Sequence, residues 1–279
     1  MKRICIATDE DNINDPENLL ISKILNDMGA KAELTIWDKQ ESLFKDCDYV
    51  LIRSCWNYHK YPDKFIQWIN SLNIPTINAK SLIQWNIHKK YLLELEKHNI
   101  EIPKTYVIQK ENVKDFNFNI FDEFVIKPAI SASGYLTYKY NKNDSEKVNS
   151  LLPLYSSDVL IQEFIPEVIQ EGEISFVFFN NSFSHAVKKI PSLSDFRSQA
   201  RYGGTVKNFI PNQALKNKAV EIVQKIMDIT NECPFYMRLD AVLRKNNLVI
   251  MEIEAIEPRL FLSNSNCDIF KKAWQSILP

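Results

Sequence analysis

The chain reads as α/β and α+β: a parallel-sheet unit at the N-terminus, followed by two mixed lobes. Three observations predict this. Short apolar strands alternate with helical stretches through the first part of the chain, the pattern of a parallel α/β unit. From about residue 103 the spacing changes, and four strands surround a single helix. Near the C-terminus two arms of period two, Tyr236 to Leu243 and Leu248 to Glu254, flank the polar run Arg244-Lys245-Asn246-Asn247, which reads as a β-hairpin.

Taken in order, residues 3–8, 32–37 and 48–53 are apolar enough for strands. The first two are separated by a helical stretch around 17–28 that stops at Gly29, a C-cap. A helix over about 61–72 leads into Ile74-Pro75-Thr76-Ile77-Asn78, and residues 80–98 are expected to form one further amphipathic helix. Strands near 105–109, 123–127, 134–140 and 158–162 enclose a helix at 144–152. After Pro166 come strands at 173–179 and 183–188, a polar loop from Ser192 to Lys207, a helix over 213–231 and the hairpin. No internal repeat or low-complexity tract interrupts this order.

The bulk composition narrows the function. With 279 residues, 45% hydrophobic and 25% charged, the chain has ample material for a core and is ordinary for a soluble globular protein. Lys plus Arg is 34 and Asp plus Glu is 35, a net charge of −1, so no global field favours nucleic acid or an anionic membrane. The N-terminal apolar run is too short for a signal sequence, and no segment has the length of a transmembrane helix. Cys5, Cys47, Cys55, Cys233 and Cys267 are an odd set without CxxC spacing, which leads to an expectation of reduced thiols in a cytoplasmic protein.

The hairpin carries the first chemistry. Folded about Asn246, it sets Asp240 opposite Glu252 and Arg238 opposite Glu254. One face is then Met237, Leu239, Ala241, Leu243, Val249, Met251 and Ile253, while the other holds Arg238, Asp240, Glu252 and Glu254; a two-residue turn would break this parity. Two carboxylates about 5 Å apart at an effective dielectric of about 20 cost roughly 3 kcal/mol. A cation between them removes that cost, and oxygen-only ligands suit Mg²⁺, which is usually held by one or two carboxylates plus substrate phosphates. The bland alternative is a wet sheet face on which Arg238 bridges the acids.

Glycines are few, and their places are informative. Apart from Gly29 they lie in Ser131-Ala132-Ser133-Gly134, Glu171-Gly172-Glu173 and Tyr202-Gly203-Gly204. The Gly-Gly pair sits in the polar loop with Arg197, Arg201 and Lys207, as in a lid. The Ser-Ala-Ser-Gly segment follows Phe124-Val125-Ile126-Lys127-Pro128. A lysine ending a strand before small residues with free backbone N–H groups suits a phosphate, although such a strand end is also an ordinary turn.

Six segments in this order resemble the ATP-grasp superfamily, and within it the glutathione-synthetase-like branch that includes D-cycloserine-forming cyclo-ligases. They are Leu51-Ile52-Arg53-Ser54-Cys55-Trp56-Asn57-Tyr58, Trp85-Asn86-Ile87-His88-Lys89-Lys90-Tyr91-Leu92, Val125-Ile126-Lys127-Pro128-Ala129-Ile130-Ser131-Ala132, Glu171-Gly172-Glu173, Phe183-Ser184-His185-Ala186-Val187-Lys188-Lys189 and Glu252-Ile253-Glu254-Ala255-Ile256-Glu257-Pro258. The resemblance implies an ATP-grasp fold with an N-terminal parallel-sheet (Rossmann-like) domain and two ATP-grasp lobes. The expected domains are 1–80 on the substrate side, 81–162 with the linking helix and small lobe, and 163–279 with the metal site.

Residue roles follow from the resemblance. Lys89 and Lys127 would contact ATP phosphates beneath the loop of Ser131 and Ser133; Gln162, Glu163, Phe164 and Ile165 would form the hinge facing adenine, and Glu173 would bond the ribose. Lys189 and Arg238 would neutralise transferred phosphate, and Asp240, Glu252 and Glu254 would hold one or two Mg²⁺ ions, with Mn²⁺ as an alternative. Arg53, Ser54, Trp56 and Asn57 end the third strand, where open α/β sheets bind ligands, and are assigned to the substrate; packing of Trp56 is the alternative. Arg259 is either a ligand for a substrate carboxylate or a surface arginine. His185 reads as a core histidine, and His59, His88 and His98 lack metal spacing.

The chain departs from the family in three places: a glycine-poor phosphate loop, His88 where an acid is common, and Glu254 where Asn is common outside the named branch. The implied activity is an ATP-dependent carboxylate ligase giving ADP and phosphate from a small amino-acid-like or peptide-like substrate, with a homodimer or homotetramer as the implied assembly. The alternatives are an intramolecular cyclo-ligase and a non-catalytic nucleotide-binding regulator. Intact Lys89, Lys127, Asp240, Glu252 and Glu254 argue against the last.

Overall fold

The computed structural model describes residues 1–279 except Gln40, Ser156, Ser157 and Pro279. Strands β1 (Arg3–Thr8), β2 (Lys31–Ile36), β3 (Tyr49–Ile52) and β4 (Thr76–Ile77) form a parallel sheet in the order β2-β1-β3-β4. The intervening helices are α1 (Pro16–Asp27) and α2 (Pro62–Ser71). Helix α1 starts where it does because the Asp15 carboxylate accepts the Glu17 and Asn18 N–H groups and Pro16 fits the first turn. It stops at Gly29, whose φ of +86° carries the chain out of the helix.

Helices α3 (Lys80–Asn86) and α4 (Tyr91–Lys97) replace the single helix expected over 80–98. The chain breaks between them, and the Lys89 N–H donates to the Ala129 carbonyl at 2.8 Å instead of continuing the helix. A tertiary bond to the small lobe outcompetes helical periodicity here. That lobe is an antiparallel sheet in the order β5-β8-β6-β7, from β5 (Thr105–Ile108), β6 (Glu123–Pro128), β7 (Tyr138–Asn141) and β8 (Val159–Glu163), with helix α5 (Ser145–Leu151). The strand expected from 134 begins only at Tyr138 because Ser133, Gly134 and Leu136 have positive φ.

After the short helix α6 (Glu167–Gln170) comes a five-stranded antiparallel sheet in the order β11-β10-β9-β12-β13. Its strands are β9 (Glu173–Phe179), β10 (Ser182–Ile190), β11 (Thr205–Phe209), β12 (Tyr236–Arg244) and β13 (Asn247–Glu254). Strand β11 takes up the end of the expected 192–207 loop, pairing Lys207 with Lys188. Helix α7 (Gln213–Thr230) packs Ala219, Val223 and Ile226 with Phe176, Phe178, Met237 and Leu239 in one apolar cluster. Val177 and Phe179 join a second cluster with the C-terminal helix α8 (Asp268–Trp274), through Phe270 and Trp274, and with the N-terminal sheet. Truncating a buried phenylalanine of this kind to Ala typically costs about 3–5 kcal/mol.

Polar interlocks tie the first sheet to the last. Asn78 donates to the Tyr236 and Ala255 carbonyls, both at 2.8 Å, and accepts from the Phe235 and Tyr236 N–H groups. Arg53 is buried and donates to Glu17 and to the Pro258 carbonyl, both at 2.7 Å; Glu17 also accepts the N–H groups of Leu260 and Leu262. Cys5 and Cys47 are joined as a disulfide with Cα atoms 6.0 Å apart, which corrects the expectation of five reduced thiols. Their separation of 42 residues has no motif, and it is the parallel pairing of β1 with β3 that brings them together. Among the described residues, no helix is long and apolar enough to cross a membrane.

Candidate active site

The last hairpin forms one wall of a cavity of about 790 Å³ between the three sheets. Arg238 faces Glu254 and Asp240 faces Glu252, the expected pairs. The turn differs from the expectation: it is the two-residue Lys245-Asn246, both at positive φ, and a bulge beside Asp240 restores the register. The bulge changes the faces. Leu248 and Ile250 enter the helix-covered core, whereas Val249 and Met251 turn to the other side, into an apolar cluster with Ile165, Val168 and Val242.

On this wall each acid meets cations. Asp240 accepts from Arg238 at 2.9 and 2.8 Å, Lys189 at 2.8 Å and the Ser175 hydroxyl at 2.6 Å. Burial opposes its charge, but Arg238 and Lys189 hold it well below the usual carboxylate range. Arg238 also bonds Glu254, which burial nevertheless pushes up to about 8. Lys189 pairs with Glu173 at 2.5 Å; burial disfavours the Lys189 charge, but Asp240 and Glu173 leave its pKa raised. Arg238, Asp240 and Lys189 are buried and Glu173 and Glu254 half-buried on the cavity wall, so the face is not an open wet one, although Arg238 does bridge Asp240 and Glu254 as that alternative had it.

Across the cavity, the break between α3 and α4 projects Lys89 to Glu252 at 2.9 Å and to the Ser131 carbonyl at 2.8 Å. The ammonium of Lys127, near the end of β6, has no hydrogen bond or ion pair among the described residues. Burial lowers its pKa to about 8, against the raising influence of Glu252. Ser131, Ser133 and Gly134 line the cavity above it.

The segment from Gln162 to Ile165 joins the small lobe to the last sheet and lines the same cavity. The N–H groups of Glu163 and Phe164 are taken by the Lys104 and Glu123 carbonyls, whereas the Ile165 N–H has no partner among the described residues. With Val125, Phe164, Val168 and Met251 this segment forms an apolar slot. Gln162 turns inward to Thr105 at 2.8 Å, and Glu173 accepts from Ser198 at 3.0 Å.

Residues 191–204 lie across the cavity as a lid. The Tyr202 hydroxyl donates to the Gly134 carbonyl at 3.1 Å, and the Arg197 guanidinium rests 3.5 Å from the Tyr202 ring. Gly204 is required, since a Cβ there would stand 2.2 Å from the Ser198 carbonyl oxygen. Lys207, in β11, is not among the cavity residues.

At the N-terminal end the substrate assignments divide. Trp56, Asn57 and Arg259 line the cavity, whereas Arg53 and Ser54 do not. Arg53 is committed to Glu17 and Pro258, and Ser54 to Thr8 and Asn18, so a position at the end of β3 served interlocking rather than ligand contact. Arg259 pairs with Asp15 at 2.6 Å and lies over the Trp56 ring. His185 bonds the Leu260 carbonyl, as a core histidine does. The cavity also holds Asp9, Tyr58, His59, Tyr135 and Glu257, which sequence reasoning left without roles. Glu257 lies beyond the period-two arms, so alternation did not mark it.

The residues present fit a hard divalent cation, within limits. All four hydrogen bonds to Asp240 come from protein donors, and among the described residues no three His, Cys, Asp or Glu side chains converge as a metal cluster. Glu252 and Glu254 each keep one oxygen without a partner among the described residues, as suits an ion completed by phosphates. Asp240 joins them as a ligand only by yielding Lys189 or Arg238.

Comparison with known proteins accords with this geometry. The profile of the prokaryotic glutathione synthetase ATP-grasp domain matches residues 90–258, and that of the D-cycloserine synthetase DcsG N-terminal domain matches residues 4–78. The cycloserine biosynthesis protein DcsG of Streptomyces lavendulae is 25% identical over 262 residues, 85% of each chain. The crystal structure of D-cycloserine synthetase DcsG has the same fold, with a TM-score of 0.85 at 20% identity, covering 99% of this chain and 100% of that one. The D-alanine–D-alanine ligase of Bacillus anthracis complexed with ATP gives 0.70 at 15% identity, covering 100% of this chain and 96% of that one.

Proposed function

Because this chain belongs to the family of the prokaryotic glutathione synthetase ATP-grasp domain, and is therefore an ATP-grasp ligase, we propose that it activates a small amino-acid-like or peptide-like carboxylate as an acyl phosphate. An amine then displaces phosphate. The observation that carries the reading is the unpaired Lys127 ammonium in the same cavity as Glu252 and Glu254, each with an open oxygen. A free, half-buried cation beside partly free acids is the arrangement that phosphates and a bridging divalent ion complete.

The residues divide the work. Lys127 and Lys89 take the phosphates of ATP, with the Ser131–Gly134 loop above them. The apolar slot of Val125, Phe164, Ile165 and Met251 takes the adenine, and the free Ile165 N–H donates to its edge. Arg238 and Lys189, held in place by Asp240, offset charge on the transferring phosphoryl group. Mg²⁺, when bound by Glu252 and Glu254, with Asp240 as a third ligand if it yields a cation, would supply further neutralisation. The lid of residues 191–204 excludes water. This is positioning and charge compensation, without a protein nucleophile.

A second reading, intramolecular ring closure, is favoured by one observation: the likeness to the cycloserine protein extends through residues 4–78, the N-terminal unit, whose Trp56 and Asn57 line the cavity. ADP-release screening over amino acids, dipeptides and ureido or hydroxylamine analogues separates the two. Mg-ADP is expected to raise the melting temperature by several degrees, since a ligand that binds only the folded state stabilises it by mass action. No shift at millimolar nucleotide would remove the site.

A further inference from the structure

Glu257 is the acid in the cavity that the phosphate chemistry leaves unused. Its residue is 6% exposed and it lines the cavity, yet among the described residues no hydrogen bond or ion pair meets its carboxyl group. Every other acid named on the cavity's last-sheet wall has a cation: Glu173 has Lys189, Asp240 has Arg238 and Lys189, Glu252 has Lys89, and Glu254 has Arg238. A carboxyl group without a protein partner that faces a ligand cavity is placed to pair with a cationic group entering it.

The surroundings define that partner. The Trp56 indole donates to the Glu257 backbone carbonyl at 3.1 Å, pinning the main chain and leaving the carboxyl free. Asp9, bonded by the Asn57 N–H at 3.0 Å, and Asp11 line the same end, whereas Lys127, Lys189 and Arg238 line the cavity at the phosphate site. Both ends are of mixed sign, since Lys60 and Arg259 also line the β3 end and Asp240, Glu252 and Glu254 the phosphate end.

We propose that Glu257 is the seat for the protonated amine of the substrate, so that the molecule ligated here bears an ammonium group that ion-pairs with this carboxylate. This rests on the ligase reading of the cavity and deepens it: the substrate is an amine-bearing molecule whose ammonium sits against Glu257, beside Trp56 at the β3 end. Burial raises the empty carboxyl to about 7, and Arg238, Lys89 and Arg53 oppose that rise, while Glu252 adds to it. An ammonium would bring it back to the charged form.

The test uses carboxyl-blocked probes, so that only the amine end is read. Glycinamide, alaninamide and serinamide of both configurations are titrated against the full chain with Mg-ADP, with acetamide as the neutral control. At least one aminated probe should raise the melting temperature saturably above the Mg-ADP baseline, by about 3 °C at a tenfold excess over its Kd. Acetamide should not, and Glu257→Gln should lose the increment when measured above its own Mg-ADP baseline. An increment that survives Glu257→Gln, an equal one with acetamide, or none with any amine overturns the proposal while the Mg-ADP shift leaves the ligase reading standing. Loss of the Mg-ADP shift in the unsubstituted protein overturns both.

Discussion

Replacing Glu257 by Gln should stabilise the ligand-free protein, and by an amount that depends on pH. The carboxyl is buried without a partner, and its pKa rises from 4.5 to about 7. An acid whose folded pKa is raised binds its proton more tightly in the folded state. Stability is therefore fully present below pH 4.5, falls as the pH climbs through the interval up to about 7, and stays low above it. At about 1.4 kcal/mol per pH unit the loss is about 3 kcal/mol. Gln keeps the shape and cannot ionise, so Glu257→Gln escapes this loss. Near pH 8 the variant should melt several degrees above the parent, at about 2–4 °C per kcal/mol, and near pH 4.5 the two should coincide. Glu254, also raised by burial, is raised further by the Glu257 charge, so removing that charge lowers it and adds to the stabilisation in the same direction. Calorimetry across this range without metal or nucleotide is the assay. A variant less stable than the parent at pH 8, or offset by the same amount at both ends, would show that the carboxyl is paired and refute the reasoning.

Other outcomes follow from the same wall of the cavity. Glu252→Ala should abolish ATP turnover with the fold intact, because Lys89 retains its bond to the Ser131 carbonyl; circular dichroism and ADP release check this, and retained turnover would place the metal elsewhere. Asp240→Asn leaves Arg238 and Lys189 without their shared buried charge and should cost about 3 kcal/mol or more in urea unfolding. Gly204→Ala puts a Cβ against the Ser198 carbonyl, so the lid must shift; kcat/KM for ATP should fall about tenfold or more with little change in melting temperature.

Much of this architecture was legible in the residues themselves. Period-two alternation identified both arms of the last hairpin, and the expected facing of Asp240 and Glu252 holds because a bulge offsets the two-residue turn that parity had excluded. The turn did not follow: Lys245 and Asn246 adopt positive φ, and the compensating bulge reverses the faces of Val249 and Met251. A bulge inserts one residue without a mark in the hydropathy pattern, so periodicity cannot register it. The helix over 80–98 was continuous in pattern and is broken in space, because the Lys89 N–H finds the Ala129 carbonyl on another lobe.

What the chain alone determined is most of its strand and helix order, the class of its lobes and the facing of Asp240 and Glu252, since these rest on local propensity and short-range alternation, whereas the grouping of Lys89 and Lys127 with these acids was implied by the resemblance to the ATP-grasp superfamily. What only the tertiary structure decided is who pairs with whom. Arg53 binds Glu17 instead of a ligand, Cys5 meets Cys47, Asp240 is saturated by Arg238 and Lys189, and Glu257 is left alone. Each outcome depends on contacts between residues distant in sequence and on burial, which sets the cost of every unpaired charge; neither quantity exists until the sheets have packed.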